Sequence, residues 1–183
     1  MTLASAALPG LRRVEHIMGM PILVDVRDDG VDEAVIGQLF SWFEWVDATF
    51  STYKDDSEIS RVGRGELALE DAHPDVAAVL ARCEELRVET DGYFDVLAAG
   101  VLDPSGLVKG WSVDRAAAIL DRARVQNYAI NAAGDLCLRG RASPSATGVS
   151  ASSIRLSTTR SQLLCRWARA QSPPRPSMPA AST

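Results

Sequence analysis

The stretch LDPSGLVKGWSVD, from Leu102 to Asp114, holds side chains suited to chemistry on a phosphorylated ligand. Asp103 offers carboxylate acceptors to a ribose or a base, Gly106 lets a carbonyl approach closely, and Lys109 supplies a cation for a phosphate. The same stretch also reads as a turn followed by an amphipathic helix, because short glycine and lysine patterns recur widely. Tyr53 stands among small hydroxyl residues in FSTYKDDSEISRVGRGEL. An aromatic ring in such a place either stacks on a flat heterocycle or covers a helix end. TDGYFDV, from Thr90 to Val96, sets Tyr93, Phe94 and Asp95 behind a glycine turn, as a ligand wall or as a packed turn. Met18, in HIMGMPI, reads on composition as a core side chain.

The elements that must carry these residues follow from periodicity. Ile22, Val24 and Val26 alternate before the turn at Asp28-Asp29-Gly30, which predicts a strand. Val31, Val35, Leu39, Phe43, Val46 and Phe50 recur at spacings of three and four, which predicts a long amphipathic helix. Glu66 to Glu70 alternates like a short edge strand. His73-Pro74-Asp75 opens a second helix, since proline suits the first turn and an acid favours the amino-terminal dipole. Its stripe of Val76, Val79, Leu80, Cys83 and Leu86 makes Cys83 a core residue. A third helix runs through Val113, Ala116, Ala117, Leu120 and Ala123, with Ser112 as its expected cap. Tyr128 to Gly140 reads as a buried strand, a turn or bulge at Gly134, and a second strand. Residues 1–13 read as a flexible lead-in with a turn signal at Pro9-Gly10.

The chain of 183 residues fits one domain, and a content of 46% hydrophobic and 23% charged residues suits a globular protein. Its net charge of −5 argues against a nucleic-acid surface. All 24 acidic residues lie at or before Asp135, whereas six of the 19 basic residues follow Gly140. Residues 141–183, rich in Ser, Ala, Pro, Thr and Arg, are therefore expected to be a disordered tail of another character. No run is long enough to span a membrane and no signal-peptide core is visible, so a cytoplasmic protein is expected. Cys83, Cys137 and Cys165, with only His16 and His73 as nitrogen partners, support neither a disulfide framework nor a zinc site.

Five separated patterns stand in order: IMGMPI, FSTYKDDSEISRV, TDGYFDV, LDPSGLVKGWSVDRAA and YAINAAGDL. Together they resemble the ApbE family, the FAD:protein FMN transferases, over roughly Val14 to Gly140. The resemblance implies an α/β (α+β) domain that binds FAD with magnesium (Mg2+). It also implies transfer of FMN to a threonine hydroxyl on an acceptor flavoprotein, with release of AMP. Met18 matches the methionine of the family's Met-Gly motif, and Tyr53 the aromatic residue that helps hold FAD. Tyr93, Phe94 and Asp95 match a flavin-nucleotide contact, Asp103 and Lys109 match FAD-contacting ends of a longer motif, and Gly106 falls where a backbone carbonyl binds the metal.

Three departures stand out: Met20 replaces the usual threonine, Pro104 the usual leucine, and Ala133 the first glycine of Gly-Gly-Asp. In the family, a carboxyl-terminal segment supplies aspartate and threonine ligands to magnesium and a nearby histidine, whereas this chain has no Asp, Glu or His after Asp135. The expectation is therefore an ApbE-like domain incomplete at its carboxyl terminus, truncated or frame-shifted, with its catalytic residues unassigned. An FAD-binding remnant without turnover, or an unstable truncated product, is the alternative.

Overall fold

A computed structural model describes residues 10–140. The expected tail over 141–183 lies outside the described residues, as do residues 1–9 of the lead-in. Two strands, β1 (Leu11–Ile17) and β2 (Met20–Val26), form a hairpin, and two more, β3 (Tyr128–Ala132) and β4 (Asp135–Arg139), form another. The sheet order is β1-β2-β3-β4, antiparallel throughout, with Leu23 facing Val14 on one side and Asn131 on the other. Four helices fill the long connection between β2 and β3: α1 (Glu33–Phe50), α2 (Glu58–Gly63), α3 (Pro74–Glu89) and α4 (Ser105–Arg122).

Alternation and helical spacing decide where the core forms. Ile22, Val24 and Val26 of β2 and Tyr128, Ile130 and Ala132 of β3 point to one face of the sheet. There they meet Ile36, Leu39, Phe40 and Phe43 of α1 and Val113, Ala116 and Leu120 of α4. Each such large side chain, fully withdrawn from water, contributes roughly 1.5–3 kcal/mol. The carboxyl-terminal end of α1 and the amino-terminal turns of α4 hold a second core, in which Val46, Phe50, Leu107, Val108 and Trp111 pack with Ile59 of α2 and with Val76, Val79 and Cys83 of α3. The fold is thus a sheet covered on one face by α1 and α4, with α2 and α3 packed beyond them.

Four sequence expectations change. Leu11 to Arg13, read as lead-in, belong to β1, although Arg13 and Glu15 point inward and hide the alternation. Arg13 pairs with Glu15 and lies over the Phe40 ring at 5.0 Å, so a charged inward face is partnered. No strand forms over Glu66 to Glu70. The N–H groups of Glu66 and Leu67 both donate to the Arg61 carbonyl, and a short 3-10 turn, Leu69–Asp71, follows. The polar segment after α1 contains α2, capped by Ser57, whose hydroxyl accepts from the Ser60 N–H at 3.1 Å. Finally, α4 begins at Ser105, so Ser112 is a buried interior residue whose hydroxyl donates to the Lys109 carbonyl at 2.7 Å. Among the described residues, no helix is long and apolar enough to cross a membrane.

Candidate functional site

Two tight turns and one helix start converge at one end of the sheet. The β1–β2 hairpin closes through Met18 and Gly19 at φ +56° and +68°, and β3–β4 through Ala133 and Gly134 at φ +44° and +99°. Two consecutive positive φ values are what a two-residue hairpin loop requires to follow the strand twist. Glycine adopts them freely, whereas Met18 and Ala133 do so at a cost of roughly 1–2 kcal/mol each. The first turn forms one wall of a cleft of about 640 Å³. The end of α1 with Ser51 to Lys54 forms a second wall, and the first residues of α4 form the third.

Local bonding holds the walls in place. The Ser51 carbonyl accepts from the hydroxyls of Ser57 at 2.7 Å and Ser60 at 3.3 Å, which ties the loop after α1 to α2. At the start of α4 the Asp103 carboxylate accepts from the Ser105 N–H at 3.0 Å, while its own N–H donates to the Val96 carbonyl at 2.8 Å. Lys109 reaches across to the second hairpin, with Nζ 3.4 Å from the Asp135 carboxylate and 3.4 Å from the Ala133 carbonyl. On the opposite side Lys54 Nζ lies 2.7 Å from Asp47 Oδ2. Val46, Phe50 and Val108 add an apolar lining to the same cleft. A flat apolar ring carrying an anionic tail suits that combination, because the lining takes the ring and the lysines take the charge.

Of the residues named from sequence, Met18, Tyr53, Gly106 and Lys109 line this cleft together. Tyr53 stands at its rim, 98% exposed. Tyr93, Phe94, Asp95 and Asp103 are absent from the lining. Tyr93 is 97% exposed, Asp95 accepts from the Leu97 N–H at 2.8 Å, and the Asp103 carboxylate is engaged by the Ser105 N–H. Phe94 packs into the second core and touches the cleft only from behind, since a Cβ placed on Gly106 would lie 3.2 Å from its ring. Sequence reading missed Asp47, Ser51, Thr52 and Lys54 as cleft residues. The signal was available for Lys54, which directly follows Tyr53 in the same polar segment.

The magnesium expected from the resemblance finds no adequate donor set here. Among the described residues no group of three or more His, Cys, Asp or Glu side chains could hold a metal ion. Among the described residues Asp47 is the single carboxylate in the cleft lining, and it is paired with Lys54. Gly106, the second residue of α4, directs its carbonyl along the helix axis toward the next turn. A hard dication wants several oxygen ligands, so these groups alone do not fit it.

The fold and cleft define a mixed α+β domain with a nucleotide-sized site at a sheet end, and comparison with known proteins narrows this further. The ApbE family sequence model matches residues 18–103 and 97–166, and the chain belongs to that family. The fold is similar to that of the flavin transferase ApbE from Vibrio cholerae, at 19% identity and a TM-score of 0.62, covering 71% of this chain and 59% of that one. It is also similar to the flavinyl transferase ApbE from Pseudomonas stutzeri in its apo form, at 20% identity and a TM-score of 0.60, covering 71% and 58% of the two chains. An ApbE protein from Thermotoga maritima matches at 16% identity with a TM-score of 0.57. The chain thus spans less than two thirds of the length of each of the first two. No curated protein sequence matches it.

Proposed function

We propose that this chain is a flavin transferase that takes FMN from FAD and attaches it to a threonine hydroxyl of an acceptor flavoprotein. The observation that carries this reading is the cleft itself, where Met18, Tyr53, Gly106 and Lys109 meet, in a chain that belongs to the ApbE family. The flavin ring would lie on the apolar lining of Val46, Phe50 and Val108, with Tyr53 covering it from the rim. Lys109 would hold the diphosphate. In the transfer, the threonine oxygen bonds to the phosphorus on the FMN side and the bridging P–O bond breaks. AMP leaves with the bridging oxygen, and the hydroxyl proton passes to solvent. Charge builds on the leaving phosphate, so a fixed cation at Lys109 stabilises it more than it stabilises bound FAD. Magnesium dependence belongs to the same proposal by family resemblance, with no step of it assigned to these residues.

Incubating the chain with FAD and a threonine-bearing acceptor, with and without magnesium, tests the reading. A denaturation-resistant fluorescent flavin on the acceptor, with one AMP released per flavin attached, is the expected result. No attached flavin in either condition contradicts transfer.

A second reading, FAD binding without turnover, is favoured by one observation: Asp47, the single carboxylate lining the cleft among the described residues, is already engaged by Lys54 at 2.7 Å. Saturable quenching of FAD fluorescence without AMP release selects it.

A further inference from the structure

Lysine is scarce in this chain. Only Lys54 and Lys109 occur among its 19 basic side chains, the rest being arginine, and both lysines line this cleft. Arginine serves the surface ion pairs of α2 and α3 through Arg64, Arg82 and Arg87. A lysine differs in presenting a compact ammonium with three freely rotating donors, which suits a phosphate approached as a point charge rather than in a planar fork. Up to Gly140 the chain carries 13 basic and 24 acidic residues, while the charged side chains lining the cleft are two lysines and one aspartate. The cleft therefore gathers both of the chain's lysines, each beside one carboxylate, within an otherwise acidic stretch of chain.

Each lysine rests against an acid. Lys54 is 2.7 Å from Asp47 with its side chain 45% exposed, and Lys109 is 3.4 Å from Asp135 with its side chain 30% exposed. Exposed ion pairs of this kind hold weakly and yield to a more highly charged anion. We propose that Lys54 and Lys109 form a two-pronged clamp for a diphosphate, with Lys54 leaving Asp47 as the ligand enters. The clamp rests on the FAD reading above and adds to it a residue, Lys54, that favours a diphosphate-bearing dinucleotide over a flavin mononucleotide or the free flavin.

Because the chain has two lysines, reductive methylation with 13C-formaldehyde gives two side-chain signals beside that of the amino terminus. These can be followed by NMR while inorganic pyrophosphate, then FAD, FMN and riboflavin are added to the full chain. Both lysine signals should move with one common pyrophosphate dissociation constant. Lys54→Met should weaken pyrophosphate and FAD by roughly tenfold, as expected for one lost charge-assisted hydrogen bond, and leave riboflavin within about twofold. Lys54→Arg should recover much of that loss, and Asp47→Asn, which frees Lys54, should tighten both ligands. A Lys54 signal that stays still under saturating pyrophosphate overturns the clamp, as does Lys54→Met binding both ligands like the original chain. If FAD saturates the chain while Lys54 stays still, the clamp fails and the flavin reading stands. If pyrophosphate moves both lysines and FAD does not bind, the diphosphate site stands and the flavin reading fails.

Discussion

Replacing Asp114 by asparagine should stabilise the fold increasingly as pH rises. Asp114 lies on α4 with Oδ2 buried and without a hydrogen-bond partner. Burial pushes its carboxyl up from 3.8 to about 6. Below a pH of about 4 the folded and unfolded chains both keep the proton, and the group carries no ionisation penalty. Between about 4 and 6 the unfolded chain releases the proton first, so stability falls as pH rises. Above the folded value both states are ionised and the whole penalty stands. The change from 3.8 to about 6 corresponds to an upper bound of about 3 kcal/mol. The side chain is only half-buried, and solvent screening reduces this to about 1–2 kcal/mol. Asparagine has nearly the same shape and no charge to bury. Urea unfolding followed by tryptophan fluorescence, on both proteins near pH 4 and again near pH 8, isolates the effect. The difference between variant and original should shift by about 1–2 kcal/mol in the variant's favour between the two conditions, whatever the constant cost of the new amide. An equal difference at both pH values would refute the reasoning.

Ala133→Gly should raise the unfolding free energy by about 0.5–1 kcal/mol, read as a higher urea midpoint at unchanged slope, because relief of the φ +44° backbone exceeds the extra chain entropy of glycine. A lowered midpoint would count against a left-handed Ala133. Asp28→Ala should cost about 1–2 kcal/mol near neutral pH, since the Asp28 carboxylate accepts from the N–H groups of Gln126 and Asn127 and from the Asn127 side chain. Burial pushes the Asp28 carboxyl up, but those three hydrogen bonds outweigh it and hold it below 3.8. The loss should therefore shrink as pH falls through the folded value, and a loss that persists in acid would contradict this. Cys83 is 1% exposed, and burial pushes its thiol to about 11. Alkylation mapped by peptide mass should then leave Cys83 unlabelled near pH 8 until the chain unfolds. Prompt labelling at that cysteine would place it outside the core.

Elements with an apolar periodicity of their own were legible in the sequence. The alternation of Ile22, Val24 and Val26 and the first part of the α1 stripe, Val35 to Phe43, bury against the sheet-side core, and Val46 and Phe50 continue the stripe into the second core, so pattern and packing agree. The Tyr128 to Gly140 hairpin was legible for a second reason, the turn at Gly134. β1 was hidden because its inward positions Arg13 and Glu15 neutralise one another, which only the partner strand and Phe40 make favourable. The start of α4 was hidden because Pro104 and Gly106 read as breakers, whereas Pro104 stands at the N-cap and the Asp103 carboxylate accepts from the Ser105 N–H at the helix entry. Within the site, motif order pointed to Met18, Tyr53, Gly106 and Lys109, which lie far apart in sequence. Lys54 carried a signal in its place directly after Tyr53, whereas Asp47 was not legible, because it reads as an ordinary solvated charge until the end of α1 faces the Met18 turn across the cleft.

The central claim is that this cleft binds FAD through its lysines, and equilibrium dialysis of FAD against the full chain and against Lys109→Met tests it most directly. One saturable site on the original chain, weakened roughly tenfold or more by the substitution, is the predicted result. No saturable binding, or equal affinity of the two proteins for FAD, would contradict it.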